Sequence, residues 1–190
     1  NNVPIFDPHE PLRNTLSDIS DVIHEVPQLG INHPEVVTII MAAKPSLIIY
    51  SGVGGEIVKT PVLSLKIPLL HAHAGLLPDY PGSTTVYYSL LERADCGVSL
   101  ILLSSGIDTG DIVAQKVYPA PPPGLDIDNL YDASIRADLL MEGLTHWAQN
   151  GGFKNKVSQR SNARKPYFVI HPVLKHIAIL STNTSKTTKY

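Results

Sequence analysis

The chain has 190 residues and a mass of 20.6 kDa, enough for one domain with its own hydrophobic core. Apolar residues make up 43% of it and charged residues 17%, a balance that is typical of a folded globular protein and excludes a disordered one. The formal net charge of -2 argues against partners that are bound through bulk positive charge. We therefore expect neither a nucleic acid nor a membrane surface as partner.

The predicted elements alternate between helices and short apolar strands. Their order is helix 33–44, strand 46–51, helix 56–63, strand 67–70, helix 83–92, strand 98–103, strand 111–117 and helix 126–149. The last helix is defined best, because Asp126 or Asp128 can cap its first turn and Gly151-Gly152 ends it. The alternation predicts an α/β fold with a mainly parallel sheet flanked by helices. We expect residues 1–180 to form a single domain and residues 181–190 to be a flexible polar tail.

Cysteine usage and hydropathy indicate the compartment. The single Cys96 excludes an internal disulfide and a cysteine-rich zinc site, and the sequence marks no partner that would make it a nucleophile. No segment approaches the roughly 20 apolar residues that span a bilayer, and the N-terminus lacks a secretion signal. We expect a cytoplasmic protein.

Two segments bring reactive side chains to the ends of predicted strands. His71 and His73 follow the strand 67–70, and Asp108 follows the strand 98–103. Ligands and reactive groups collect at strand ends in an open sheet. An imidazole such as that of His73 titrates near neutral pH, and an adjacent Asp108 would fix its tautomer and stabilise its charged form. These features predict a pocket for a planar ligand and a reacting carbonyl group.

A metal site is an alternative interpretation of the same residues. His71 and His73 are two positions apart, so both rings would face the same way on a strand. Asp108 or Asp79 could then be a third ligand. Because no second histidine pair lies nearby, our primary prediction contains no metal.

Two other catalytic patterns are weak or missing. The run Gly52-Val-Gly-Gly55 follows a predicted strand, but it lacks the G-x-G-x-x-G spacing and the Lys-Ser/Thr pair of phosphate-binding loops. The chain also has no G-x-S-x-G segment, which disfavours a serine hydrolase.

The segment from His73 to Gly82, with Asp108-Thr-Gly110 after it, resembles the signature of the folate-dependent formyltransferase family. That signature is Asn-x-His-Pro-Ser-Leu-Leu-Pro-x-x-x-Gly followed by Asp-x-Gly, and His73-Ala-Gly-Leu-Leu-Pro78 matches its central part. The family includes glycinamide ribonucleotide, methionyl-tRNA and sugar N-formyltransferases. The resemblance extends over residues 31–117, and we expect it to continue to residue 149. It implies a Rossmann-like formyltransferase fold.

The resemblance also implies roles for residues. His73 and Asp108 would be two members of a catalytic Asn-His-Asp triad, with His71 at the position of the Asn. The formyl donor would be 10-formyltetrahydrofolate. Its pteridine would contact two loops, represented by Gly52, Val53, Gly54, Gly55, Ile57, Ser104, Ser105, Gly106 and Ile107. The acceptor substrate would contact Gly75, Leu77, Pro78 and Gly82.

The chain departs from the family pattern at several positions. His71 replaces the Asn, Ala74 replaces the Pro that follows the catalytic His, and Pro81 stands where the family usually has Arg or Lys. The family opens with a strand and a glycine-rich turn that residues 1–44 do not resemble. We expect the chain to be shortened there, or this region to have been rebuilt.

From this resemblance we expect transfer of a formyl group to a primary amine. No separate C-terminal domain is evident, which disfavours methionyl-tRNA and favours a small molecule, with an amino-sugar nucleotide as the first candidate. A relative that binds folate or a partner without catalysis, and a formyltetrahydrofolate hydrolase, remain alternatives. A homodimer is an open alternative for the oligomeric state.

Overall fold

A computed structural model of the protein describes residues 6–7, 9–26, 29–52, 54–159 and 164–184. The helices and strands in this part of the chain are α1 (Leu12–Ile19), α2 (Pro34–Ala43), β1 (Ile48–Ile49), α3 (Thr60–Leu63), β2 (Leu69–His73), α4 (Thr85–Arg93), β3 (Asp95–Leu102), β4 (Ile112–Pro119), a π-helical turn (Ile127–Tyr131), α5 (Asp132–Asn150) and α6 (Pro172–Thr184). Among the described residues, no strand precedes β1, and no helix has the length and apolar character needed to cross a membrane.

The strands form one mixed sheet in the order β1-β2-β3-β4. β1 runs parallel to β2, whereas β2 and β3, and likewise β3 and β4, are antiparallel. The α/β class is therefore confirmed, but the expectation of a mainly parallel sheet is wrong for the described strands. β3 and β4 are joined by the loop 103–111, which is too short for the helical crossover that a parallel pair requires. Sequence periodicity identifies strands but does not give the direction in which each enters the sheet.

The main core lies between one face of the sheet and the helices α4, α5 and α6. Leu70 and Leu100 from the sheet are fully buried there against Tyr87 of α4 and Ile135 of α5. Because successive side chains of a strand point to opposite faces, Leu70 and Ala72 face this core while His71 and His73 face the other side. The alternation in β2 thus directs both imidazoles away from the main core.

Several element boundaries differ from the sequence predictions. β2 includes both histidines, which therefore belong to the strand and not to a loop after it. α3 begins at Thr60, four residues later than predicted. α6 was not predicted, and it includes residues 181–184, which we expected to begin a flexible tail. The rest of that tail, residues 185–190, lies outside the described residues.

The start and end of the long helix agree with the sequence. The Asp126 carboxylate accepts a hydrogen bond from the backbone N–H of Asn129 at 3.0 Å, so it caps the π-helical turn that leads into α5. Gly151 ends α5 in a left-handed conformation with φ of 67°. Both residues are the types that sequence signals for helix ends require.

A buried hydroxyl ties the loop after β2 to the sheet. Ser99 of β3 is fully buried, and its Oγ accepts a hydrogen bond from the N–H of Leu77 at 2.9 Å. The same hydroxyl donates to the carbonyl oxygen of Gly75 at 2.7 Å, and Gln115 of β4 donates to it at 2.9 Å. One side chain therefore fixes the backbone that directly follows His73.

Replacing Ser99 by alanine should lower the free energy of unfolding by about 2 kcal/mol, because a buried N–H and a buried carbonyl would lose their partner. The matched control is Ser17→Ala on α1, where the hydroxyl is exposed and only bonds back to Arg13; we expect a change within about 0.5 kcal/mol. Urea unfolding of both variants measures the difference. Equal unfolding midpoints for Ser99→Ala and the natural chain would show that Ser99 does not stabilise the loop.

Candidate functional site

A cavity of about 680 Å³ lies on the sheet face that carries the two histidines. Four parts of the chain line it: the segment after β1, the histidines of β2 with residues 82–83, the loop after β3 and the segment 165–169. His71, His73 and Asp108 all contribute to this lining. The structure therefore brings the three predicted catalytic residues together.

His73 is held in one orientation by the backbone. Its ring is 5% exposed, and Nε2 lies 2.6 Å from the carbonyl oxygen of Tyr80. A carbonyl oxygen can only accept, so the ring carries its proton on Nε2 and donates there. The neutral ring then has its lone pair on Nδ1, which lies 3.6 Å from Oδ1 of Asp108.

Asp108 is positioned by contacts to two other segments of the chain. Its Oδ2 accepts a hydrogen bond from the N–H of Gly82 at 2.7 Å. Its carbonyl oxygen, together with that of Gly110, accepts hydrogen bonds from Gln159 at 2.7 Å. Asp108 has a positive φ of 52°, a conformation that Asp tolerates better than most residues. Gly110 is needed at the turn because a Cβ there would collide with the backbone of Leu102.

His71 is half-buried and also bonds to a backbone carbonyl. Its Nδ1 lies 3.0 Å from the carbonyl oxygen of Tyr50, so Nδ1 donates and Nε2 keeps the lone pair. Burial lowers the pKa of His71, and the nearby His73 and Arg136 lower it further, outweighing the opposing effects of the Tyr50 carbonyl and Asp108. The ring is therefore neutral at pH 7, and it offers an acceptor and not a donor on its free nitrogen.

The three residues also have the composition of a metal-binding cluster. One ring nitrogen from each histidine and one carboxylate oxygen of Asp108 lie within 4.8 Å of one another. Asp79, the other candidate third ligand, does not belong to this cluster of described residues.

Most of the predicted folate contacts line the cavity. They are Gly52, Gly54, Gly55, Ile57, Ser104, Gly106 and Ile107. Ser105 does not line it, and Val53 lies outside the described residues. The predicted contact roles of the lining residues stay predictions, but their positions are compatible with them.

Of the four predicted acceptor contacts, only Gly82 lines the cavity. Gly75 and Leu77 are buried and bonded to Ser99, and Pro78 is exposed outside the cavity lining. A Cβ on Gly75 would come within 2.9 Å of His73 Nε2, so this glycine leaves room for the bond to Tyr80. Sequence proximity to His73 placed them at the substrate, whereas the chain turns away from the cavity after β2.

The segment 165–169 was missed as part of the site. The N–H of Tyr167 donates to the carbonyl oxygen of Pro81 at 2.8 Å, and Ser83 donates back to Tyr167 at 2.9 Å. The Tyr167 ring stacks on Tyr80 with 5.9 Å between centroids. The adjacent Phe168 is 86% exposed and lines the cavity. The adjacent aromatic residues Tyr167 and Phe168 are visible in the sequence. Nothing in the sequence indicated that Tyr167 contacts the segment around Gly82.

Comparison with known proteins agrees with this geometry. The family model for formyl transferases matches residues 22–139. The methionyl-tRNA formyltransferase of Chloroflexus aurantiacus is 34% identical over 139 residues, which covers 69% of this chain and 44% of the relative. The chain spans less than half the length of the curated relatives that it matches.

Solved structures share the fold. HypX from Aquifex aeolicus, in a complex with tetrahydrofolic acid, superposes with a TM-score of 0.57 at 18% identity, covering 81% of this chain and 28% of HypX. A sugar N-formyltransferase from Shewanella gives a TM-score of 0.51 at 16% identity, covering 81% of this chain and 66% of that protein. Since the family model matches more than half of the chain and the signature residues meet in one cavity, this chain belongs to the formyl transferase family.

Proposed function

We propose that this protein transfers a formyl group from 10-formyltetrahydrofolate to a primary amine. The observation that carries the proposal is the pair of the buried His73 and the half-buried Asp108, which faces a cavity in a chain of the formyl transferase family. The relative HypX was crystallised with tetrahydrofolic acid, which supports a folate as the donor.

The cavity suits the planar ring system of a folate. Gly54 and Gly55 leave open space where side chains would otherwise project, and Gly55 has a positive φ of 90° that few other residues adopt. Ile57 and Ile107, each 45% exposed, supply apolar surface within the same cavity. Aliphatic side chains can pack against the faces of a flat ring, and backbone groups can bond to the donors and acceptors along the edge of a pteridine.

The two catalytic groups have complementary tasks. Nδ1 of His73 has its lone pair toward the cavity and Asp108, so it can take the proton that the amine loses as it attacks the formyl carbon. The Asp108 carboxylate then stabilises the imidazolium. The proton then passes to N10 of the folate as the bond between N10 and the formyl carbon breaks, which releases tetrahydrofolate. The Tyr80 carbonyl holds the ring in place throughout.

His71 makes the site different from an Asn-containing one. An amide at this position would offer an N–H to the developing oxyanion, whereas the neutral His71 offers a lone pair. This observation favours one alternative function, a relative that binds folate but transfers slowly or not at all. Hydrolysis of the same donor would need water in place of the amine and no other change.

The acceptor is proposed to be a small-molecule amine, with an amino-sugar nucleotide as the first candidate. The fold shared with the Shewanella sugar N-formyltransferase is compatible with this choice. Methionyl-tRNA is the second candidate, because the curated relatives are methionyl-tRNA formyltransferases. Because these relatives act on a tRNA, our expectation that nucleic acid is not a partner is no longer supported. Assays with formylated product as readout, using each acceptor in turn, separate the two.

The donor site is tested by calorimetric titration with 5-formyltetrahydrofolate, a stable mimic of the donor. We expect a dissociation constant in the micromolar range for the natural chain. Asp108→Ala should weaken binding by at least about tenfold, because Gly82 would lose its charged acceptor beside the cavity. Asp79→Ala, which changes an exposed carboxylate outside the cavity, should bind normally. A folded protein that does not bind the ligand would contradict the proposal.

The general base is tested by replacing His73 with alanine. Transfer should fall by more than about a hundredfold, because the site loses the ring nitrogen that lies 3.6 Å from Asp108 and is proposed as the base. His176→Ala removes an exposed histidine outside the cavity lining and should leave the rate unchanged. Single-turnover rates with saturating donor provide the measurement, and a near-normal rate for His73→Ala would eliminate the role.

The consequence of the histidine at position 71 is tested by His71→Asn. We expect the transfer rate to rise by about tenfold or more, because the amide supplies a donor that the neutral imidazole lacks. His71→Ala supplies no donor and serves as the matched variant, which should not show the gain. If both variants are equally slow, His71 has a positive role of its own in the reaction.

A further inference from the structure

We propose that His71, His73 and Asp108 form a binding site for a divalent transition-metal ion of the zinc class. The proposal goes beyond formyl transfer, which requires no metal. It rests on the arrangement of the two imidazoles, on the unpaired oxygen of the carboxylate and on the opening of the cluster toward the cavity.

Both histidines have the outer contacts that metal-ligating histidines have. Such a histidine donates its second ring nitrogen to a carbonyl or carboxylate, which fixes the tautomer and aims the other nitrogen at the ion. His71 donates from Nδ1 to the Tyr50 carbonyl at 3.0 Å, and His73 donates from Nε2 to the Tyr80 carbonyl at 2.6 Å. Two lone pairs, on Nε2 of His71 and Nδ1 of His73, are therefore left for a cation.

The carboxylate presents a third free electron pair. Oδ2 of Asp108 accepts from Gly82, while Oδ1 lies 3.6 Å from Nδ1 of His73. This separation is too long for a hydrogen bond, and two acceptors that face each other repel unless a cation lies between them. Nitrogen and oxygen ligands of a tetrahedral zinc ion lie about 3.3 Å apart, so this pair needs only a small adjustment.

The third ligand requires a larger adjustment. The ligating atoms of the three residues lie within 4.8 Å of one another, so the widest separation must shorten by up to about 1.5 Å. His71 and Asp108 are half-buried, so they have more freedom to move than the buried His73.

The donor set indicates the kind of ion. Two imidazoles and one carboxylate suit zinc and similar divalent transition metals, and they suit calcium or magnesium poorly. Three protein ligands leave at least one coordination position open. All three residues line the cavity, so the open position is accessible to water or to a small ligand there. A proton on Nδ1 of His73 would compete with the metal ion, because both use the same lone pair.

The test is a calorimetric titration of Zn²⁺ into the full chain, prepared without an affinity tag and freed of metal with a chelator. We expect saturable binding of one ion per chain. His71→Asn should weaken binding by more than about a hundredfold. Losing an outer contact of a metal ligand costs up to about a hundredfold, and the loss of a ligand itself should cost more. His176→Asn, the same change at an exposed histidine outside the cavity, should bind as the natural chain does.

Two further measurements keep the outcome decisive. Circular dichroism reports whether His71→Asn is folded; Asp108→Asn serves as a second variant, since it keeps an oxygen for Gly82 but loses the charge. Visible absorption of Co²⁺ in place of zinc reports nitrogen and oxygen ligation directly. No zinc binding by the natural chain, or equal binding by His71→Asn, overturns the proposal. Because the readout is metal binding by the protein alone, failure here leaves the folate titration unaffected.

Discussion

The hydrogen bond between Nε2 of His73 and the carbonyl oxygen of Tyr80 is the constraint on which the site depends. It requires the chain to turn back on itself directly after β2, so that residue 80 returns beneath the imidazole. Gly75 permits the turn because a side chain there would collide with the ring of His73 and with Tyr80. Ser99 then fixes the turn from the sheet side through both neighbouring backbone groups.

The same turn connects the histidine to distant parts of the chain. The hydroxyl of Tyr80 donates to Glu92 of α4 at 3.0 Å, and burial together with this carboxylate raises the pKa of Tyr80 to about 12, so it remains a donor. Its ring stacks on Tyr167, whose backbone pairs with the residues on either side of Gly82. Gly82 in turn donates to Asp108. The side chains of His73 and Asp108 are thus held by one continuous set of contacts and not by their own strands alone.

Sequence signals of two kinds agree with the structure. The spacing of the two motifs correctly brought His73 and Asp108 together, and the end signals Asp126 and Gly151 correctly bounded the long helix. These predictions rest on local chemistry or on a resemblance that includes both segments. What failed depends on non-local pairing. The antiparallel direction of β3, and the contact of Tyr167 with Pro81, are decided by parts of the chain that are far apart in sequence.

The replacement of an amide by an imidazole at position 71 changes the hydrogen-bonding capacity of the site. An asparagine can donate and accept with its two ends, whereas the neutral His71 has already used its only N–H on Tyr50. Its free nitrogen adds a second lone pair to those of His73 and Asp108, and three acceptors in one cluster favour a cation over an oxyanion. A metal ion bound there would occupy the nitrogen of His73 that is the base in the proposed formyl transfer. Proton transfer and metal binding would then exclude each other on one side chain, and the residue at position 71 would decide which of the two prevails.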